Sequence, residues 1–292
     1  MLSSVRRVAD RAFASLWGGS CGAIGRLQQP ARRWDSPGGQ RVLVVAPHPD
    51  DEIAGCGGVI LLHGGAGDRV TVLHVTDGRA SRSGGLDAPA MAQQRRREAE
   101  ASVRILQVNE WRWLGLPDTV WEHEVILRQV DDILIGIAPD VVYVPSRVDF
   151  HPDHYAMARV IAQAPALGAV RRVRMYQVQV PLTRILVNLV APIAPALATA
   201  LQASAAYTSQ EASLRGAWRL KAYAARSHRV PFGAEEFWEV TPAGYTALHA
   251  EPPPRPLLET FRGLRRLALT DPLAFSVGRA ERRRLRELAA AP

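Results

Sequence analysis

The chain is almost without lysine. Lys221 is the only one among 36 basic residues, and arginine supplies the rest. A net charge of +8 ordinarily suggests nucleic acid or an anionic membrane as partner. Arginine, alanine, glycine and proline are all plentiful, however, so GC-biased coding explains the charge as readily as a basic surface does. The arginines are scattered except at Arg95–Arg97 and Arg282–Arg284, and no reading motif accompanies them. Nucleic acid is therefore not the expected partner.

Cysteine is equally scarce. Cys21 and Cys56 form neither a C-x-x-C pair nor a disulfide framework, so the reducing cytoplasm is the default compartment. Cys56 reads as a small buried side chain. No apolar run is clean enough to span a bilayer. The longest, Ile185–Ala206, is Ala-heavy and interrupted by Asn188, Pro192, Pro195 and Gln202. It reads as a buried or partly exposed helix, which leaves peripheral membrane contact open.

Residues 1–38 nearly lack acids, and their apolar stretch is short and broken by glycines. They are expected to lie outside the fold, as a disordered extension or the product of a mis-assigned start. After Pro252 the chain turns proline-rich and then becomes a basic helix, which reads as an appended tail over 251–292. One domain is expected over 39–250. With 47% hydrophobic residues in a chain of 292, one large core is affordable.

Within that domain, continuous apolar runs alternate with amphipathic ones. Strands are expected at Arg41–Ala46, Val70–Val75, Glu110–Leu114 and Val141–Val144. Helices are expected at Ile53–His63, Ala90–Leu106, Glu124–Ile137 and from His154. Strands that are apolar on both faces and separated by helices predict an α/β fold: a mostly parallel sheet covered on both sides. In such sheets, sites form beyond the carboxyl ends of strands. Two polar runs fall there, "PHPDDE" from Pro47 and "PSRVDFHPDH" from Pro145.

Clustered carboxylates repel unless something positive sits among them. His48 and Asp51 are three apart, as are His151 and His154, and positions three apart share one helix face. Imidazole with carboxylate suits zinc or another divalent ion such as Fe²⁺, and three protein ligands leave a position for water. Spacing alone does not choose between His151 and His154 as ligand. Nor does it choose between Asp50 and Asp51 as base.

The two runs resemble those of the PIG-L/LmbE family of metal-dependent de-N-acetylases. The likeness extends to "VTDG" at Val75–Gly78, to Arg95 and Glu98, to "WLGLPD" ending at Asp118, and to "AYTSQ" and "AEEF" further on. It implies a Rossmann-like three-layer fold in which His48, Asp51 and His154 hold zinc. Asp50 would be the general base. His151 would stabilise the oxyanion and protonate the leaving amine, with Asp149 or Asp153 favouring its charged form. Asp149 and Asp153 would back the histidines, and Arg95 and Asp118 would meet substrate. The implied reaction is removal of an acetyl group from an N-acetylglucosamine-type sugar. Where the family often carries a lysine before "SQ", this chain has Leu201–Ser204, and Ala191 stands where an acid is common. Both departures concern the substrate side and leave the metal residues intact. Two other readings are weighed: an amidase acting on a thiol conjugate or another N-acyl compound, and a basic peripheral membrane or nucleic-acid binding protein with a relict site. The oligomeric state is not legible.

Overall fold

Val42, Leu43, Val44 and Val45 are fully buried, as a strand covered on both faces requires. They form β2 (Arg41–Ala46), the middle strand of the parallel part of the sheet. The computed structural model describes residues 2–26, 30–149, 151–250, 268 and 271–290. On one side of β2 lie β3 (Arg69–Thr76) and β4 (Glu110–Leu116); on the other lie β5 (Val141–Pro145) and β6 (Arg172–Tyr176), all parallel. Beyond β6 the sheet continues through β8 (Ala234–Val240), antiparallel to both β6 and β7 (Leu189–Pro192). A two-residue strand, β1 (Arg32–Arg33), closes that edge.

Alternate side chains of β2 feed two cores, as the two-residue period of a strand dictates. Leu43 and Val45 pack with Ile126 and Val130 of α4 (His123–Ile137), Met157 of α5 (Pro152–Gln163) and Leu248 of α9 (Pro242–Ala250). Val42 and Val44 pack on the other face with Val59 of α2 (Asp51–Gly65), Val103 of α3 (Ala88–Ile105), Ala203 of α7 (Leu197–Ala205) and Leu214 of α8 (Glu211–His228). This is the three-layer α/β arrangement expected from the strand pattern. Because β3 and β5 flank β2 on opposite sides, the chain reverses its winding there. A crevice opens beyond the carboxyl ends of β2 and β5.

The termini depart from expectation. Residues 1–38 were expected outside the fold, yet Leu2–Arg26 is a helix, α1, lying against α8. Gly18, Gly22 and Gly25 share one stripe of α1 and let the backbones approach. A Cβ at Gly25 would sit 2.2 Å from the Ser227 carbonyl oxygen. Of the expected tail, 251–267 lies outside the described residues. The helices Asp271–Ser276 and Arg279–Ala289 pack on the body: Leu285 is fully buried and Arg282 donates to the Pro181 carbonyl at 2.9 Å. The run Ile185–Ala206 is not one helix. It contains the end of α6 (Thr183–Leu186), then β7 and α7, with Pro192 closing the strand. Among the described residues no helix is long and apolar enough to cross a membrane.

Candidate active site

Pro47 ends β2, and the chain turns sharply before α2. Asp50 sits at the turn with φ 115°, in a region that side chains other than glycine rarely adopt. Such a conformation costs on the order of 1–3 kcal/mol and persists only when its surroundings enforce it. Here they do. The Asp50 N–H donates to Glu52 Oε2 at 3.1 Å. Arg95 Nη2 donates to Asp50 Oδ1 at 3.1 Å and also to the Pro49 carbonyl. Glu52 is in turn held by His74 Nε2 at 2.9 Å, Ser102 at 2.9 Å and the Tyr207 hydroxyl at 2.7 Å. Trp111 donates to His74 Nδ1 at 2.8 Å, which leaves the His74 proton on Nε2, toward Glu52. Glu52 belongs to the "PHPDDE" run, but spacing gave it no role, because its partners come from distant elements.

Three ligand-type atoms converge where the two runs meet. His48 Nδ1 lies 3.2 Å from Asp51 Oδ2 and 3.2 Å from His154 Nε2, and the last two are 3.0 Å apart. Ligands about 2.0–2.1 Å from a tetrahedral ion stand about 3.3–3.4 Å apart, so the triangle needs only slight opening to seat one. The far side of each ring meets a carboxylate. His48 Nε2 is 2.9 Å from Asp153 Oδ2, and His154 Nδ1 is 3.2 Å from Asp149 Oδ2. These contacts put the ring protons on the outer nitrogens and leave Nδ1 of His48 and Nε2 of His154 as lone-pair donors.

The electrostatics agree that the cluster wants positive charge. Burial opposes the charged form of His48, but Asp153 and Asp51 outweigh it and raise its pKa to about 9. His154, also opposed by burial, is raised well above its usual value by Asp51 and Asp149. Burial would lift the Asp51 carboxyl, yet the two histidines hold it well below the usual range. A divalent cation could replace the protons that otherwise neutralise these acids.

His151 is a competing ligand on distance alone, since His48, His151 and His154 each place a ring nitrogen within 4.8 Å of the others. The triangle with Asp51 is tighter. In addition, His151 Nδ1 accepts a 3.3 Å hydrogen bond from the Asp153 N–H, which turns Nε2 outward. A second grouping, His48 with Asp118 and Asp153, is spoken for by protein donors. Asp118 accepts from Gly78 at 3.1 Å and Ala80 at 2.7 Å, and Asp153 accepts from Thr119 at 3.0 Å.

One expectation is overturned. Asp149 and Asp153 do not hold His151 in its charged form: Asp153 Oδ2 is 3.9 Å from His151 Nδ1 and turns to His48, while Asp149 turns to His154. Burial, joined by the charges of His48 and His154, lowers His151 to about 4. Its resting form is the neutral ring.

His48, Asp51, His151 and His154 line a cavity of about 310 Å³. Asp50 lies at its edge, and burial, assisted by the charge of Asp51 and opposed by Arg95, raises its carboxyl pKa. Arg95 and Asp118 line the cavity as well, but Arg95 braces the Pro49–Asp50 turn and Asp118 anchors the loop after β3. Sequence reasoning missed the opposite wall. It is made by Gln210, which donates to Ser81 at 2.9 Å, and by Arg219, whose guanidinium meets both oxygens of Asp271 at 2.7 and 3.0 Å. Asp271 comes from the segment expected to be an appendage, and no local pattern announces that contact.

Comparison with known proteins bears on the arrangement. Residues 43–165, which contain both runs, match the family model of PIG-L, GlcNAc-PI de-N-acetylase. That match covers the stretch that forms the site. Within it lie His48, Asp50, Asp51, His151 and His154. The chain is 30% identical over 134 residues to the "Probable N-acetyl-alpha-D-glucosaminyl L-malate deacetylase 2" of Bacillus cereus, covering 43% of this chain and 60% of that relative. Its fold is similar to that of N,N'-diacetylchitobiose deacetylase from Pyrococcus horikoshii, with TM-score 0.58, 23% identity, and coverage of 74% of this chain and 86% of the other. The fold is shared equally by GalB, the 4-carboxy-2-hydroxymuconate hydratase of Pseudomonas putida KT2440, with TM-score 0.55, 23% identity, and coverage of 68% and 95%. This fold thus serves more than one reaction, and the reaction has to be argued from the site.

Proposed function

We propose that the protein is a metal-dependent hydrolase that removes the acetyl group from an N-acetylglucosamine-type amino sugar or glycoconjugate. The observation that carries the reading is the triangle of His48 Nδ1, Asp51 Oδ2 and His154 Nε2, 3.0–3.2 Å on each edge, beside the buried carboxylate of Asp50, which pairs with Arg95 outside the triangle. The substrate class is supported by the family description and by the name of the Bacillus cereus relative. A divalent ion in this nitrogen and oxygen set, zinc or Fe²⁺, would polarise the amide carbonyl and make water a nucleophile near neutral pH.

The chain's own residues supply the proton movements. Asp50 takes a proton from the attacking water; its raised pKa makes it a better base than an exposed aspartate, and Arg95 fixes its orientation. His151 rests neutral with its proton on Nε2, and its side chain is 30% exposed toward the cavity. It donates a hydrogen bond to the oxyanion as charge develops and stays neutral, while the proton that Asp50 took from water passes to the departing amine. Asp149 and Asp153 keep the two ligand histidines in the required tautomers.

Acetate release from a panel of N-acetylated sugars, sugar conjugates and N-acyl thiol conjugates, with and without chelator, tests the reading. Acetate from an amino-sugar substrate, abolished by chelator and restored by metal, is expected. Turnover confined to the thiol conjugates would transfer the site to the amidase reading, and metal-independent turnover would reject both.

A further inference from the structure

A second cavity of about 1020 Å³ shares no lining residue with the catalytic one. It is built largely by segments outside the PIG-L match. Trp17 and Ile24 of α1 and Phe275 of the helix Asp271–Ser276 give it apolar walls, with Ile185 and Val187 from the chain around α6. Trp17 and Phe275 meet edge to face at 5.7 Å. The same short helix separates the two cavities: Asp271 and Ala274 line the catalytic one, Leu273 and Phe275 the second.

The charge around it is one-sided. Arg279, Arg283 and Arg286 line it from one stripe of the helix Arg279–Ala289, while the adjoining stripe buries Arg282 and Leu285. Those three are exposed, and among the described residues none is paired with a carboxylate. Glu236, the one acid in the lining among the described residues, is already matched by His228 Nε2 at 2.8 Å. Two buried polar atoms on the walls, Trp17 Nε1 and Thr183 Oγ1, have no hydrogen-bond partner among the described residues. Thr183 is itself only 7% exposed and held at φ +59°. Buried donors left unpaired in a native protein call for an acceptor.

We propose that this cavity binds a single-chain amphiphile with an anionic phosphate or carboxylate head. The apolar walls take the chain, the arginine stripe meets the charge, and the orphaned indole N–H and threonine hydroxyl meet head-group oxygens. Its size suits one drug-sized molecule and so one chain.

Titration calorimetry of the full chain with monomeric dodecyl phosphate, below its critical micelle concentration, tests this. Dodecanoate, dodecyltrimethylammonium, dodecyl maltoside and inorganic phosphate are run beside it. The two anionic amphiphiles should bind once per chain. The cationic and neutral ones should bind at least about tenfold more weakly, and inorganic phosphate should not bind. Reversing the stripe with Arg279→Glu, Arg283→Glu and Arg286→Glu together should remove that preference. Thr183→Val should weaken anionic binding without lowering the unfolding temperature. His48→Ala should leave binding unchanged, which separates this result from the fate of the catalytic reading. Equal binding of all amphiphiles, no binding, or indifference to the arginine reversals would overturn the proposal. So would attachment to anionic vesicles without binding of the monomer, because a surface and not a cavity would then be at work.

Discussion

His48 stands between two carboxylates: its Nε2 is 2.9 Å from Asp153 Oδ2, and its Nδ1 is 3.2 Å from Asp51 Oδ2. One acid fixes the ring and the other shares the ion position with it. Asp153 therefore acts through His48. Asp153→Asn should lower metal affinity about 10–100-fold while the chain stays folded. Competition against a chromophoric chelator reads this directly. An unchanged affinity would mean that the contact does not orient the ring.

Asp50 plays the complementary part. It touches the cavity but lies outside the triangle, so Asp50→Asn should keep its metal and lose about 10²–10⁴-fold in turnover. Parallel assays of metal content and acetate release separate the two effects. Near-normal turnover in a metal-replete variant would remove Asp50 from the role of base.

The glycines after the acidic run are explained by packing. A Cβ at Gly55 would lie 2.1 Å from the Tyr176 ring, and one at Gly58 would lie 2.3 Å from Ile193. Tyr176 cannot swing away freely, because its hydroxyl donates to the Val45 carbonyl at 2.7 Å. Gly55→Ala should cost about 1–3 kcal/mol in denaturant unfolding. A variant as stable as the parent would show that α2 can shift outward without penalty.

Acid should weaken the fold through histidines remote from the metal residues. Burial lowers His249 to about 4, and His63 likewise. An unfolded histidine titrates near about 6.5, so between these values the unfolded chain binds more protons than the folded one. Stability is then full above the unfolded value and is lost as pH falls toward 4. In chelated protein, His249→Gln should flatten the fall in unfolding temperature over that window. An unaltered slope would show that His249 does not carry it.

The parallel part of the sheet was legible because β2, β3 and β5 are apolar on both faces and end abruptly at polar residues. The convergence of the candidate site residues was legible because the fold needs only two strand ends to assemble them, and each end carries its residues within a few positions. What was missed depends on distant partners. Glu52 finds Tyr207 from the far side of the chain, and Arg219 finds Asp271. β7 was hidden because Leu189–Pro192 lies inside an Ala-heavy apolar run with no change of period to mark it. Both terminal segments looked dispensable because arginine reads as exposed. Arg282 is nevertheless fully buried, its donors meeting the carbonyls of Pro181 and Val277. The neutral state of His151 was likewise out of reach, since it depends on which ring each aspartate faces.

The central claim is that one divalent ion is held by His48, Asp51 and His154, with Asp50 and His151 working beside it. Elemental analysis of the purified chain and its single variants tests this most directly. One metal per chain is predicted in the parent, in Asp50→Asn and in His151→Ala, with an empty site in His48→Ala and His154→Ala. Full metal in His154→Ala, or an empty site in His151→Ala, would contradict the assignment and exchange the roles of the two histidines.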